Sequence, residues 1–249
     1  MRAARLNSYS KKDFQLSIEQ IEKPTPHAQE VLVKVSMAGV NPLDNMITAG
    51  EVKLIVPYKL PITAGNEFVG VIESIGADVT NYQVGDRIYA RMPLGKIGAF
   101  AEYLTIDHKE IALVPNYLSD EEAASVPLTA LTAYQALELL NVKPGKTLFI
   151  SGGTGGFGAM AIPIAKAFGL KVITNGGLDN KNRVLALGAD QFIDYKTEDY
   201  TKVLTDIDYV IDTLGGEELI KQFTILKEGG AIAVSYTHLR AHETGASLV

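Results

Sequence analysis

The residues with the clearest chemical meaning are three glycines in the segment 151–158, Ser-Gly-Gly-Thr-Gly-Gly-Phe-Gly. They have the spacing G-x-G-x-x-G, and they follow an apolar run, Thr147–Ile150, and precede a segment of helical composition. We assign Gly153 to a tight turn, Gly155 to close approach by a pyrophosphate, and Gly158 to close packing of helix on strand. Free N–H groups at the helix start attract an anion. A dinucleotide-binding loop is predicted, and a merely flexible glycine-rich loop is the alternative. The predicted cofactor contacts here are Gly153, Thr154, Gly155, Gly156, Phe157 and Gly158.

The end of the next predicted strand bears on which dinucleotide binds. A site for NAD usually carries Asp or Glu about 20 residues after the first glycine, where it bonds the ribose 2′-hydroxyl. Here that place is occupied by Thr174-Asn175-Gly176, and Lys181 and Arg183 follow. We therefore predict NADPH, with Asn175 and Lys181 among its contacts. Asp179 is the counter-argument for NAD, and a solvated helix face is the alternative explanation of the two basic residues.

Composition excludes several classes of protein. The 249 residues include 23 Lys and Arg against 29 Asp and Glu, and this net charge of −6 argues against nucleic-acid binding. The lack of cysteine excludes disulfides, iron–sulfur clusters, thiolate zinc sites and a catalytic thiol. The longest apolar stretch, 159–165, is far shorter than the roughly 20 residues of a membrane helix. We expect a cytoplasmic protein with no signal peptide and no membrane association.

The two halves of the chain have different patterns. Up to about residue 120, short strands separated by turns predict an irregular barrel or sandwich. Ser119, followed three residues later by Glu122, predicts a helix start with a capping box. Beyond it, apolar strands alternate with helices, which is typical of a parallel sheet covered on both faces. The predicted strands are 31–37, 68–75, 88–90 and 99–106 in the first half, and 147–150, 171–174, 191–195, 208–213 and 231–234 in the second. Gly70, inside the second of these strands, indicates a bulge or a close approach of the backbone, and a helix is predicted from Gly216 to Lys227.

Several short motifs are shared with one family. They are Ala38–Asp44, Gly65–Gly70, Gly85–Arg87, Gly98–Glu102, Val126–Ala130, Leu187–Asp190 and Asp194-Tyr195. With the glycine loop, they make the chain from Met1 to about Val234 resemble the medium-chain dehydrogenases/reductases, in the zinc-independent, quinone oxidoreductase-like branch. The resemblance implies an α/β fold: a GroES-like β-rich domain over 1–120 and an NADP-binding Rossmann domain over 121–234, with about five of six strands. It also implies a small-molecule substrate and a homodimeric full-length parent.

The resemblance also implies site residues. Zinc-dependent relatives carry Cys where this chain has Asn41 and His where it has Asn66, and four histidines at 27, 108, 238 and 242 make no tetrahedral zinc site. We predict no metal, and hydride transfer from NADPH to a quinone or an α,β-unsaturated carbonyl. Asn41 is the best candidate for donating a hydrogen bond to the acceptor oxygen, and Tyr58 is a weaker one.

Three further residues are assigned to the cofactor by this resemblance. Thr129 is expected at the nicotinamide ribose or its phosphate, Tyr195 at the adenosine end, and Thr213 at the border of the crevice. Ordinary structural roles are the alternatives: turn chemistry for Asn41, a helix interior for Thr129 and a strand end for Tyr195. Two other functions stay open, a non-catalytic NADPH-binding sensor and a reductase of ordinary aldehydes or ketones.

The resemblance ends abruptly after Val234. The segment 235–249 has no apolar periodicity, and its Tyr-Thr-His-Leu-Arg-Ala-His-Glu-Thr stretch resembles translated sequencing-adapter read-through. We expect a non-native or disordered tail in place of the sixth Rossmann strand. Activity below that of a chain carrying the missing region is therefore also expected.

Overall fold

A computed structural model describes residues 1–12 and 15–235 of the chain. It divides the chain into two compact units, the first running from Met1 to Leu128 and the second beginning at Thr129. The boundary therefore follows the helix Asp120–Ala124, which the sequence reasoning had placed in the second domain. Among the residues described, none of the helices combines the length and apolarity that a membrane crossing needs.

The first unit contains two antiparallel sheets. The larger has the strand order β7-β3-β5-β6-β8 and the smaller the order β2-β1-β4. The strands are β1 Arg2–Leu6, β2 Ser17–Gln20, β3 Glu30–Gly39, β4 Ile62–Thr63, β5 Glu67–Ile75, β6 Arg87–Arg91, β7 Tyr103–Asp107 and β8 Ala112–Leu113, and the helices are α1 Pro42–Thr48 and α2 Asp120–Ala124. This β-rich unit agrees with the predicted fold.

Two local predictions in this unit are confirmed. At Gly70, within β5, a Cβ atom would lie 2.4 Å from the carbonyl oxygen of Lys34, so the strands approach there as only glycine permits. Helix α2 begins with the capping box: the Glu122 N–H donates to Ser119 Oγ (3.2 Å), and the Ser119 N–H donates to Glu122 Oε2 (2.9 Å).

The second unit is a five-stranded parallel sheet with the order β11-β10-β9-β12-β13. The order of the strands therefore reverses between β9 and β12, as it does between the two halves of a Rossmann fold. The strands are β9 Thr147–Ile150, β10 Lys171–Gly176, β11 Gln191–Asp194, β12 Ile207–Asp212 and β13 Leu226–Val234; the helices are α3 Pro127–Leu139, α4 Gly156–Ala167, α5 Lys181–Ala186, α6 Tyr200–Val203 and α7 Gly216–Gln222. The predicted α/β class is confirmed.

The apolar strands of this sheet are buried on both faces. Leu148, Phe149 and Ile150 of β9 are fully buried, and so are Val210 and Ile211 of the neighbouring β12. Their side chains join two hydrophobic clusters that share these strands but contain different helices. The continuous apolar runs in the sequence follow from this double coverage.

Three predicted boundaries are wrong. The helix expected from Gly216 to Lys227 ends at Gln222, because Leu226 already pairs with Ile207 in the sheet. The strand expected from residue 231 therefore starts at Leu226. The strand expected from residue 99 starts at Tyr103, because the segment before it bonds the smaller sheet: the Ala4 N–H donates to the Phe100 carbonyl (2.8 Å). The predicted tail lies outside the described residues from 236 onward.

Candidate functional site

The glycine-rich loop connects β9 to α4, as its spacing predicts. Gly152 has φ +67°, whereas Gly153 has no positive φ, so the left-handed turn assigned to Gly153 lies one residue earlier. Gly153 is required for a different reason. A Cβ at Gly153 would lie 2.0 Å from Thr174 Oγ1, and one at Gly158 would lie 2.1 Å from the Gly153 carbonyl oxygen. Gly158 thus packs closely against the loop residue Gly153, whereas the prediction was close packing of the helix on the strand β9.

Two glycines of the loop have open space beside them. A Cβ at Gly155 would find only the Gly152 carbonyl oxygen, 3.8 Å away, and one at Gly156 would find nothing within 4 Å. Both are exposed, and Gly155 is the N-cap of α4. Unpaired N–H groups of the first helical turn lie beside this open face. The arrangement leaves room for an anion at the start of α4. Phe157, by contrast, packs against the hydrophobic core.

Side chains from β10 hold the loop from one side. Thr174 Oγ1 accepts a hydrogen bond from the Gly153 N–H (3.1 Å) and donates one to the Ile150 carbonyl (2.8 Å). Asn175 Oδ1 accepts from the Gly152 N–H (2.7 Å), and Asn175 is only 5% exposed. Asn175, predicted as a cofactor contact, therefore turns its oxygen toward the loop.

Side chains from the end of β12 hold the loop from the other side. Ser151 Oγ donates to Asp212 Oδ1 (3.0 Å), and Thr213 Oγ1 donates to the Ser151 carbonyl (2.6 Å). The buried Asp212 also accepts from the Gly215 N–H (2.7 Å) and from Gln222 Nε2 (2.7 Å). These bonds join the carboxyl ends of β9 and β12, between which the strand order reverses. Ligands of open α/β sheets bind at this kind of reversal, and Thr213 lies there as predicted.

The remaining residues predicted to bind the cofactor lie after β11, in the glycine loop, at the start of α5 and in α3. Tyr195 is 58% exposed, and its ring is about 4 Å from where a Cβ of Gly177 would be. Thr154 packs its methyl group toward Gly176, where a Cβ would lie 2.1 Å away. Lys181 is exposed as the first residue of α5. Thr129 is half-buried in the first turn of α3.

The basic and acidic residues that follow β10 are all exposed. Asp179 lies in a short 3-10 turn, Leu178–Asn180, and Lys181 and Arg183 lie in the helix that follows it. Both charge signs are thus presented within five residues of sequence. Their placement is compatible with either phosphate or ribose recognition.

The first unit contains a buried polar cluster at the start of α1. Asn41, the N-cap of α1, donates from Nδ2 to Glu67 Oε1 (2.6 Å), and its backbone N–H donates to Asp44 Oδ2 (2.7 Å). Asn66 Nδ2 donates to the other oxygen of Asp44 (2.6 Å). Glu67 Oε2 accepts from the Leu128 N–H (2.8 Å). Asp44 thereby holds the Asn41 loop.

The two acids of this polar cluster are poorly solvated. Burial raises the pKa of Asp44 and that of Glu67, although each carboxylate accepts hydrogen bonds that act in the opposite direction. The negative charge of Asp44 raises the pKa of Glu67 further. Asn66 is 1% exposed, and its Oδ1 has no hydrogen-bond partner among the residues described.

The donor set of this cluster does not suit zinc. The resemblance implies that zinc-dependent relatives carry Cys and His at the positions of Asn41 and Asn66. In this chain both side-chain amide nitrogens donate to carboxylates, and such nitrogens are not zinc ligands. Within 1–12 and 15–235, His, Asp and Glu side chains nowhere gather in threes suited to a metal ion. His108 Nδ1 lies 2.8 Å from Asn81 Oδ1, and His238 and His242 lie outside the described residues.

The hydroxyl of Tyr58 forms a hydrogen bond within the first unit. Its hydroxyl donates to the Leu94 carbonyl (2.6 Å), and its own carbonyl accepts from the Tyr9 hydroxyl (3.2 Å). Burial raises the pKa of the Tyr58 hydroxyl. The described hydrogen bonds thus brace the segment after α1 and leave no donor on Tyr58 for another molecule.

Sequence reasoning did not predict the contacts that hold the site residues in place. Thr174, Ser151 and Asp212 fix the glycine loop, and Glu67 binds the side chain of Asn41. One signal was available for Glu67, which is an acid at the head of the apolar run Phe-Val-Gly-Val-Ile. A buried acid requires partners.

Two family models match the chain. One, described as an alcohol dehydrogenase GroES-like domain, matches residues 27–116, and the other, described as a zinc-binding dehydrogenase, matches residues 156–236. The chain is 32% identical over 243 residues to 2-methylene-furan-3-one reductase of Solanum lycopersicum. That alignment covers 94% of the chain but only 62% of the tomato protein, so the chain spans about three-fifths of this relative.

Solved structures agree with these matches. The quinone oxidoreductase from Coxiella burnetii has a TM-score of 0.87 and 33% identity, over 96% of this chain and 76% of that one. The Escherichia coli quinone oxidoreductase, solved in complex with NADPH, has a TM-score of 0.83 and 26% identity, over 94% of this chain and 72% of that one.

Proposed function

Because the chain belongs to the medium-chain dehydrogenases/reductases, in their quinone oxidoreductase-like branch, we propose that it is an NADPH-dependent oxidoreductase. Its substrate would be a quinone or an α,β-unsaturated carbonyl, reduced without zinc. The observation that carries the proposal is the glycine loop, open beside Gly155 and Gly156 and held by β10 and β12 at the reversal of strand order. Two relatives are named for such acceptors, and one of them was solved with NADPH.

The chain's own residues have separate tasks in this proposal. The N–H groups at the start of α4 bind the pyrophosphate, with Gly155 and Gly156 leaving room for it. Thr213 borders the crevice, and Lys181 and Tyr195 bind the adenosine end. When bound, NADPH supplies a hydride. Asn41 then donates a hydrogen bond to the acceptor oxygen, where negative charge develops.

The donor set supports the proposal of a reaction without zinc. A neutral or quinoid carbonyl that is already activated needs hydrogen-bond donors rather than a Lewis acid, and the buried amides of Asn41 and Asn66 belong to that class. The alternative sensor function requires the same NADPH site without turnover. The two functions are therefore separated by activity and not by binding.

The experiment is a fluorescence titration with NADPH and NADH, followed by turnover with a quinone, an enone and a simple aldehyde. We expect saturable binding that favours NADPH, and reduction of the first two acceptors that survives chelator treatment. In Gly155→Ala, the new methyl group faces the open side of the loop, so NADPH binding should weaken at least tenfold. Loss of the glycine N-cap should cost the fold only about 0.5–1 kcal/mol.

Gly95→Ala is the matched control, since a Cβ there meets nothing within 4 Å and the residue lies in the first unit. It should bind NADPH like the parent chain. Binding without turnover of any acceptor would favour the sensor function. Equal affinity of Gly155→Ala and the parent for NADPH would contradict the cofactor site.

A further inference from the structure

We infer that Glu67 is a positioning residue that fixes which polar group of Asn41 is available to the acceptor. The inference rests on the proposed function only in placing Asn41 beside the acceptor. Its physical basis is the polarity of the Asn41–Glu67 hydrogen bond. A carboxylate oxygen can only accept, so Glu67 requires the amide nitrogen of Asn41 and not its oxygen.

Glu67 itself is held firmly. Its two oxygens accept from different donors, Asn41 Nδ2 at 2.6 Å and the Leu128 N–H at 2.8 Å. The residue is 2% exposed, so water does not compete for the bonds. Charge-assisted bonds of this kind are about twice as strong as neutral ones. The carboxylate is therefore a rigid acceptor in this pair.

The space for this carboxylate depends on Gly39. A Cβ on Gly39 would lie 2.3 Å from Glu67 Oε1 and 2.6 Å from the Ala124 carbonyl oxygen. Any larger residue at 39 would push against the oxygen that binds Asn41. The glycine at the end of β3 thus leaves the room that the Glu67 carboxylate needs in its observed position.

Asp44 is likewise a hydrogen-bond acceptor that fixes the orientation of the donors beside it. It accepts from the Asn41 backbone N–H and from Asn66 Nδ2, so the loop before α1 cannot rotate to release the Asn41 side chain. With one N–H of Asn41 Nδ2 held by Glu67, and with Oδ1 turned toward the Asp44 backbone N–H in the capping box of α1, the second N–H remains. The second N–H is the one donor that this amide has for an acceptor oxygen.

The test reverses the polarity of the pair in the full chain. Glu67→Gln keeps the shape, but a single amide oxygen now faces two donors, Asn41 Nδ2 and the Leu128 N–H. The Asn41 amide should turn to accept from the new amide nitrogen. The double variant Glu67→Gln with Asn41→Asp restores a hydrogen bond between the two side chains, in the opposite direction, and keeps the original total charge. It leaves no side-chain N–H at position 41.

Two measurements are made on the parent, the single variant and the double variant. Side-chain amide NMR should show one strongly downfield, slowly exchanging Asn41 proton in the parent, and Glu67→Gln should lose it. With NADPH and an enone, kcat should fall about a hundredfold in Glu67→Gln, as for loss of one oxyanion donor, with the KM for NADPH unchanged. The double variant should regain the parent's melting temperature but not its turnover.

Each contrary result is specific. Recovery of turnover in the double variant would show that the N–H of Asn41 is not used, and an unaltered Asn41 signal in Glu67→Gln would show that Glu67 does not orient the amide. If the parent chain reduces no acceptor, the proposed function fails. The amide signals still decide whether Glu67 sets the Asn41 orientation.

Discussion

The substitution Gly153→Ala isolates the packing of the glycine loop against β10. A methyl group at this position would lie 2.0 Å from Thr174 Oγ1 and 2.9 Å from Thr174 Cβ. Thr174 is fully buried and belongs to a central strand of the parallel sheet, so it has no free space to enter. The hydroxyl that must move is the one that accepts from the Gly153 N–H and donates to the Ile150 carbonyl.

The expected loss can be summed from these contacts. Two hydrogen bonds of a buried hydroxyl contribute together about 1–3 kcal/mol. Overpacking at a rigid site costs a further 1–3 kcal/mol or so. Because alanine has less conformational freedom than glycine in the unfolded chain, the substitution also stabilises the folded state by about 0.4–1 kcal/mol. Gly153→Ala should therefore lower the free energy of unfolding by about 1–6 kcal/mol.

The assay is urea unfolding followed by circular dichroism, with Gly156→Ala as the control for stability. Gly156 is the first residue of α4 and a Cβ there meets nothing within 4 Å, so this control should be neutral or slightly stabilising. Adding Thr174→Ala to Gly153→Ala removes the closest contact, so the double variant should lose less than the sum of the single losses. Equal stability of Gly153→Ala and Gly156→Ala would refute the reasoning.

Two further predictions concern charge. Lys181→Ala should weaken NADPH binding up to about fivefold, as expected for loss of an exposed ion pair, and leave NADH binding unchanged. Lys202→Ala, at an exposed residue of α6, is the control. An equal loss of affinity for both cofactors in Lys181→Ala would contradict the assignment of Lys181 to NADPH. The raised pKa of Glu67 means that the native state binds its proton more tightly than the unfolded state. As the pH rises above the ordinary pKa of 4.5 and through the raised pKa, the parent should lose stability relative to Glu67→Gln, by at most about 1.4 kcal/mol per pH unit. The measurement is urea unfolding of both proteins across this pH range. A difference in their free energies of unfolding that does not change with pH would contradict the prediction.

Local sequence patterns predict the elements of this fold well. The apolar run of β9, the capping box at Ser119 and the G-x-G-x-x-G spacing each depend on neighbours within a few residues. Helix α7 was predicted too long because nothing local shows that Leu226 pairs with Ile207. Sheet pairing between distant residues decides that boundary.

The site was predictable to a smaller extent, for the same reason. The left-handed conformation falls on Gly152, and the side chains packed beside Gly152 and Gly153 are those of the distant residues Thr213 and Thr174. Asn175 was predicted as a cofactor contact, and its hydrogen bond with the Gly152 N–H depends on the register of β10 and β9. The Glu67 bond joins residues 26 positions apart, and no periodicity reports it.

The hydrogen bonds around the glycine loop determine when its conformational entropy is lost. Asn175, Thr174 and Thr213 bind the loop backbone with the chain's own side chains, so the loop is ordered as the sheet assembles. A dinucleotide that binds afterwards has little left to immobilise in this segment, because ordering of the loop already belongs to the free energy of folding. Substitution of any of these three side chains should therefore change the stability of the protein in the absence of cofactor.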